Sequence, residues 1–125
     1  KEKFTVVTPI APSISANIAA DLANNCSGYL QNDVKSVILN LESVTFVEDK
    51  AAEIIASLQQ LFYEKNASFV ICCVRPSVTE TFAKLELLDF LNITPSESEA
   101  WDMVQMEEIE RELLDSDDIT FETNS

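Results

Sequence analysis

The sequence has no histidine, one glycine and an odd number of cysteines. Without histidine, Ser-His and Cys-His nucleophilic catalysis are excluded, and so is every histidine-containing metal site. The one glycine, Gly28, cannot build a phosphate-cradling P-loop or a GxGxxG dinucleotide loop. These absences argue against an enzyme that uses a nucleotide, and no cofactor is expected. Cys26, Cys72 and Cys73 have no framework spacing, which argues against a secreted disulfide scaffold and for a reducing, cytoplasmic setting. No apolar run approaches the ~18–20 residues that span a membrane. The opening KEKFTVVTPIAP has only a short apolar patch broken by prolines, so it does not read as a signal peptide. Positive charge is scarce too: 8 Lys and Arg stand against 22 Asp and Glu, a net charge of −14. Such a surface repels phosphate backbones and anionic lipid, so neither nucleic acid nor membrane is an expected partner. The charge serves solubility, or it faces a basic partner.

What is present is a core. Hydrophobic residues make up 46% of 125 residues, with seven Phe and one Trp. That is enough for one folded domain, expected over residues 1–115, followed by an acidic tail over 116–125. FTVVT at 4–8 reads as a first strand. SIS at 13–15 is a second short strand or a helix lead-in. From Asn17 to about Asn32, Ile18, Leu22, Cys26 and Tyr29 or Leu30 recur at helical spacing. SVILNL at 36–41 is a nearly continuous apolar run, as in strands covered on both faces. TFV at 45–47 resumes it. Residues 51–65 predict a strong helix with Ile54 or Ile55, Leu58, Leu61 and Phe62 inward, Asp49 as its N-cap and Asn66 as its left-handed end. ASFVICCV at 67–74 is another buried strand, with Cys72 and Cys73 expected on opposite faces. Arg75-Pro76-Ser77 opens a further helix, with Ser77 or Pro76 at its entrance. FLNI at 90–93 reads as a strand. SESE, in which Ser96 reaches toward Glu99, opens the last helix, docked by Ala100, Val104 and Trp101.

Strands alternating with helices predict an α/β fold: four or five mostly parallel strands flanked by about four helices. The chemistry-bearing stretch is Glu48-Asp49-Lys50, at the junction between the central strand and its helix. From Glu97 onward lie eleven of the 22 acidic residues against one base, Arg111. This segment reads as a solvated helix and tail, or as an interaction arm with Ile119 and Phe121 as anchors.

The order of pieces SVILNLESVTFV, EDKA, AEIIASLQQLFYEK, ASFVICCV, RPSV, KLELLDFL and SESEA resembles the STAS domain, the fold of bacterial anti-sigma factor antagonists. The likeness covers residues 34–106, more weakly 4–31. It implies a non-enzymatic partner-switch component, with no catalytic residue and no metal, that regulates transcription. An anti-sigma factor or serine kinase-like protein, or another regulatory protein, would be the partner, and a homodimer is a further expectation. In the family a kinase phosphorylates a Ser or Thr in an Asp-Ser-Ser-Gly-like loop, and the phosphate weakens the complex. Here Glu48 stands at the Asp, Asp49 at the first Ser, Lys50 at the usual phosphoacceptor and Ala51 at the Gly. No hydroxyl lies between Phe46 and Ser57. A later turn glycine is replaced by Glu86. The resemblance implies partner binding through Glu48, Asp49, Lys50 and Ala51, the helix face of Glu53, Ser57 and Gln60, and the junction of Arg75 and Ser77. Residual phosphoacceptors are Ser77, Ser43 and Thr45. Three readings of the loop stay open: a helix cap with no regulation, a docking loop that is not modified, or a fixed charge imitating one regulatory state. A scaffolding STAS module in a larger assembly, without partner switching, is the alternative function.

Overall fold

The computed structural model describes residues 4–115. Four strands form the main sheet: β1 (Phe4–Val7), β3 (Ser36–Asn40), β5 (Phe69–Cys72) and β6 (Ile93–Thr94). They lie in the order β1-β3-β5-β6, and every pairing is parallel. Two further strands, β2 (Ser13–Ile14) and β4 (Phe46–Val47), pair only with each other in a separate parallel ribbon. The apolar run at 45–47 therefore leaves the main sheet. The helices are α1 (Ala16–Gly28), α2 (Asp49–Glu64), α3 (Pro76–Lys84) and α4 (Glu97–Asp115). The α/β class, the four-stranded parallel sheet and the four helices match the expectation.

Strand order explains the layers. Each new strand is added at the same edge, so right-handed crossovers keep α1, α2 and α3 on one face. Among the described residues only α4 follows the last strand, and it covers the other face. The two-residue period of the strands sorts the side chains accordingly. Val37, Leu39, Phe69 and Ile71 join Leu22, Ile55, Phe62 and Phe82 in the larger core. Phe4, Ile38, Val70 and Cys72 face Ala100 and Val104 of α4. All five residues of β3 are buried, as an apolar run predicts for a strand covered twice.

Several local expectations change. In α1 the buried stripe is Ala19, Leu22 and Cys26, whereas Ile18 is exposed. Ser15 both follows β2 and caps α1, its hydroxyl accepting the Ile18 N–H at 3.3 Å. The FLNI run is not one strand: Leu88–Phe90 is a 3-10 turn, Phe90 is exposed, and pairing begins only at Ile93. Cys73 does not sit opposite Cys72 on a continuing strand. Its φ of 60° turns the chain, and its side chain packs on the same α4-side cluster as Cys72. Asn66 ends α2 in the left-handed region (φ 59°), with the Ala67 N–H bonded to the Phe62 carbonyl at 2.9 Å. Trp101 packs against Phe4, ring centroids 5.3 Å apart. Ile119 and Phe121, with the rest of the tail, lie outside the described residues.

Candidate functional site

The head of α2 is held by the β2–β4 ribbon. The Glu48 N–H bonds to the Ile14 carbonyl at 3.0 Å, which keeps Glu48 extended (φ −64°, ψ 152°) at the N-cap position. Asp49, expected as the cap, lies instead in the first turn, and α2 has no side-chain cap. The Glu48 carboxylate turns to the neighbouring helix and accepts the Ala16 N–H, the first of α1, at 3.0 Å. One negative charge thus sits at two helix N-termini, where both dipoles favour it. Asp49 forms an ion pair with Lys84 at the end of α3, 2.9 Å apart, both side chains more than half exposed. Lys50 lies 3.9 Å from Glu53, a loose, solvated pair. Ala51 is fully buried, so its side chain belongs to the core and not to the surface.

The second junction is tied to the same region. The Arg75 Nε donates to the Glu42 carbonyl at 2.8 Å, joining the turns that follow β3 and β5. Arg75 occupies the N-cap position of α3 and Pro76 its first turn. Ser77 is therefore not the cap. Its hydroxyl reaches across to donate to the Thr45 carbonyl at 2.7 Å, just before β4. Ser43, in the turn after β3, is half-buried. Along α2, Lys50, Glu53, Ser57 and Gln60 recur at helical spacing on an exposed ridge. Ser57 donates back to the Glu53 carbonyl at 3.0 Å, and Gln60 donates to Glu64 at 3.1 Å. The structure thus gathers Glu48, Asp49, Lys50, Arg75 and Ser77 around one end of the sheet. Glu53 and Ser57 lead away from it along the helix.

Residues 1–100 match the family model described as STAS domain. The chain belongs to the STAS family. Solved STAS-like structures agree in fold. A candidate anti-sigma factor antagonist from Thermotoga maritima is 16% identical, with a TM-score of 0.68 over 80% of this chain and 87% of that one. The anti-sigma factor antagonist SpoIIAA in its unphosphorylated form is 16% identical, with a TM-score of 0.66 over 83% of this chain and 90% of that one. The murine anion transporter Slc26a9, in its inward-facing state, is 15% identical, with a TM-score of 0.70 over 85% of this chain and 18% of that one. At such identities these are likenesses of fold.

Sequence reasoning missed two features of this STAS domain. The first is apolar surface on the segments that meet at the loop. Ile10, before the β2–β4 ribbon, is 84% exposed, and Phe46, the first residue of β4, is 54% exposed. The apolar run at 45–47 makes Phe46 a strand residue, and the two-residue ribbon reveals which way it faces. The second is a polar cluster at the opposite end of the strands. Ser36 and Ser68 are buried, and the Ser68 N–H donates to the Ser36 hydroxyl at 3.0 Å. Ser36 donates to Glu108 at 2.8 Å, and Ser68 donates to Glu107. Arg111 bonds Glu108 at 2.8 Å and the Ser68 hydroxyl at 2.9 Å. These acids, read as solvated, instead clamp α4 onto β3 and β5.

Burial pushes the Cys26 thiol up to about 11. Burial first, then the neighbouring Cys73, pushes Cys72 up to about 12. Both are poor nucleophiles at neutral pH. Among the described residues, no group of three or more His, Cys, Asp or Glu is placed to hold a metal ion, and no helix is long and apolar enough to cross a membrane.

Proposed function

We propose that this STAS domain is a non-enzymatic, cytoplasmic protein-binding regulator of the anti-sigma factor antagonist type, whose loop has lost its phosphoacceptor to Lys50. One observation carries the reading: the exposed head of α2 is anchored by contacts that need no modification. Glu48 is tied to the α1 N-terminus and Asp49 to Lys84. The loop then acts as a fixed docking element, its charge set by Glu48, Asp49 and Lys50, bordered by Phe46 and flanked by Arg75 and Ser77. The α2 ridge of Glu53 and Ser57 extends the contact. The partner is an anti-sigma factor or serine kinase-like protein, or another regulatory protein, with a basic docking surface. Ser77, Ser43 and Thr45 are the remaining acceptors near the loop, and a phosphate on Ser77 would remove its bond to the Thr45 carbonyl.

Titration against such a partner in rising salt tests the reading. Association should weaken with salt, and Glu48→Lys with Asp49→Lys should weaken it by about tenfold or more. Unchanged affinity in the double variant would sink it. A second reading is a scaffolding module in a larger assembly, without partner switching. It is favoured by the transporter, where the same fold corresponds to 18% of a longer chain. Light scattering of the purified chain alone and with the partner separates the two.

A further inference from the structure

The last helix has two apolar faces, and the core uses only one. Ala100 and Val104 point into the sheet, with Glu107, Glu108 and Arg111 continuing that side toward Ser36 and Ser68. Met106, Ile109 and Leu113, spaced three and four apart, fall on the opposite side of α4. They are 61%, 53% and 56% exposed. With Asp102 four residues before Met106, the outer face has the alternating three-four spacing of a coiled-coil seam. By the same spacing, Glu99 and Glu110 border the seam on one side and Glu112 on the other; all three are exposed. Because α4 covers the sheet face away from α1, α2 and α3, its outer ridge is separate from the loop surface.

We propose that the outer face of α4, Met106, Ile109 and Leu113, is a docking ridge for an amphipathic helix of a partner protein that carries an apolar stripe flanked by lysine or arginine. Charge selects this occupant. Pairing with a second copy would set the acidic borders of two α4 helices against each other, which is destabilising along a coiled-coil seam. An anionic membrane is repelled by a chain of net charge −14. A basic helix instead meets opposite charge on both borders, and its apolar stripe covers the three exposed side chains.

The test uses the full chain and a fluorescent synthetic peptide of three heptads, with leucine at the seam positions and lysine beside them. A second peptide keeps the lysines and carries serine at the seam. Anisotropy titrations should show saturable binding of the leucine peptide, weaker at high salt, and none comparable for the serine peptide. Ile109→Glu should lower affinity by at least about tenfold, while Ile109→Leu keeps it. Because Ile109 is already half exposed, the variant should retain the wild-type circular dichroism; Leu113→Glu serves as the second variant. Equal binding of both peptides, no binding, or indifference to both glutamate variants would overturn the proposal. So would a dimer at neutral pH in sedimentation that Ile109→Glu abolishes, since the occupant would then be a second copy.

Discussion

Replacing Glu86 by glycine should stabilise the protein. Glu86 ends α3 with φ at 60°, the left-handed region. The turn is closed by the Leu87 N–H on the Phe82 carbonyl at 2.9 Å and the Glu86 N–H on Ala83 at 3.0 Å. This is the paired arrangement that glycine favours after a helix. An L-residue there carries about 1–2 kcal/mol of steric cost. Glycine removes that cost but gives the unfolded chain more freedom, about 0.5–1 kcal/mol. The net is a gain of roughly 0.5–1 kcal/mol, or a few degrees in melting temperature for a chain of this size. Urea unfolding of wild type, Glu86→Gly and Glu86→Ala measures it. Alanine keeps the Cβ and removes the same charge, so it should stay within about 0.5 kcal/mol of wild type. If alanine stabilises as much as glycine, the carboxylate and not the backbone was the burden. If glycine gives no gain, the strain argument fails.

Three further outcomes follow from the buried groups. Arg111→Ala leaves Glu108 without its cation and the buried Ser68 hydroxyl without a donor, and should cost about 1–3 kcal/mol in urea unfolding. Cys26 and Cys72 hold their protons to about 11 and about 12, above the ordinary 9.0. The unfolded chain releases those protons first, so the thiols' contribution is intact below pH 9.0 and is lost as pH climbs through the folded values. A stability series above pH 9.0 should therefore fall less steeply in Cys26→Ala than in wild type. A disulfide reagent at neutral pH should label half-exposed Cys73 first, with Cys26 and Cys72 reacting only on unfolding.

Much of this fold was legible because its signals are local. The apolar run of β3 and the periodicity of α2 each lie within a few turns of chain, and both appear where expected. Asn66 was readable for the same reason, as a residue type suited to the backbone it adopts. The misreadings concern contacts between distant residues. The sequence points to Asp49 as the cap of α2; the ribbon bond of the Glu48 N–H to the Ile14 carbonyl puts Glu48 at that position instead. Ser77 resembles a cap until its hydroxyl is seen on Thr45. Glu107 and Glu108 resemble solvated acids until Ser36, Ser68 and Arg111 are brought beside them. The run at 90–93 failed differently: apolar composition cannot tell a strand from a 3-10 turn that leaves Phe90 in water.

The loop at the head of α2 connects the fold to the proposed function. In the function proposed above, Lys50 stands at the acceptor position, and no hydroxyl lies between Phe46 and Ser57 for a kinase to modify. The most direct test is the affinity of a serine kinase-like anti-sigma partner for this chain before and after incubation with magnesium and ATP, with mass mapping of the product. Unchanged affinity and an unmodified chain are predicted. Phosphate on Ser77 or Ser43 accompanied by loss of binding would contradict the account, because the switch would then have moved rather than been lost.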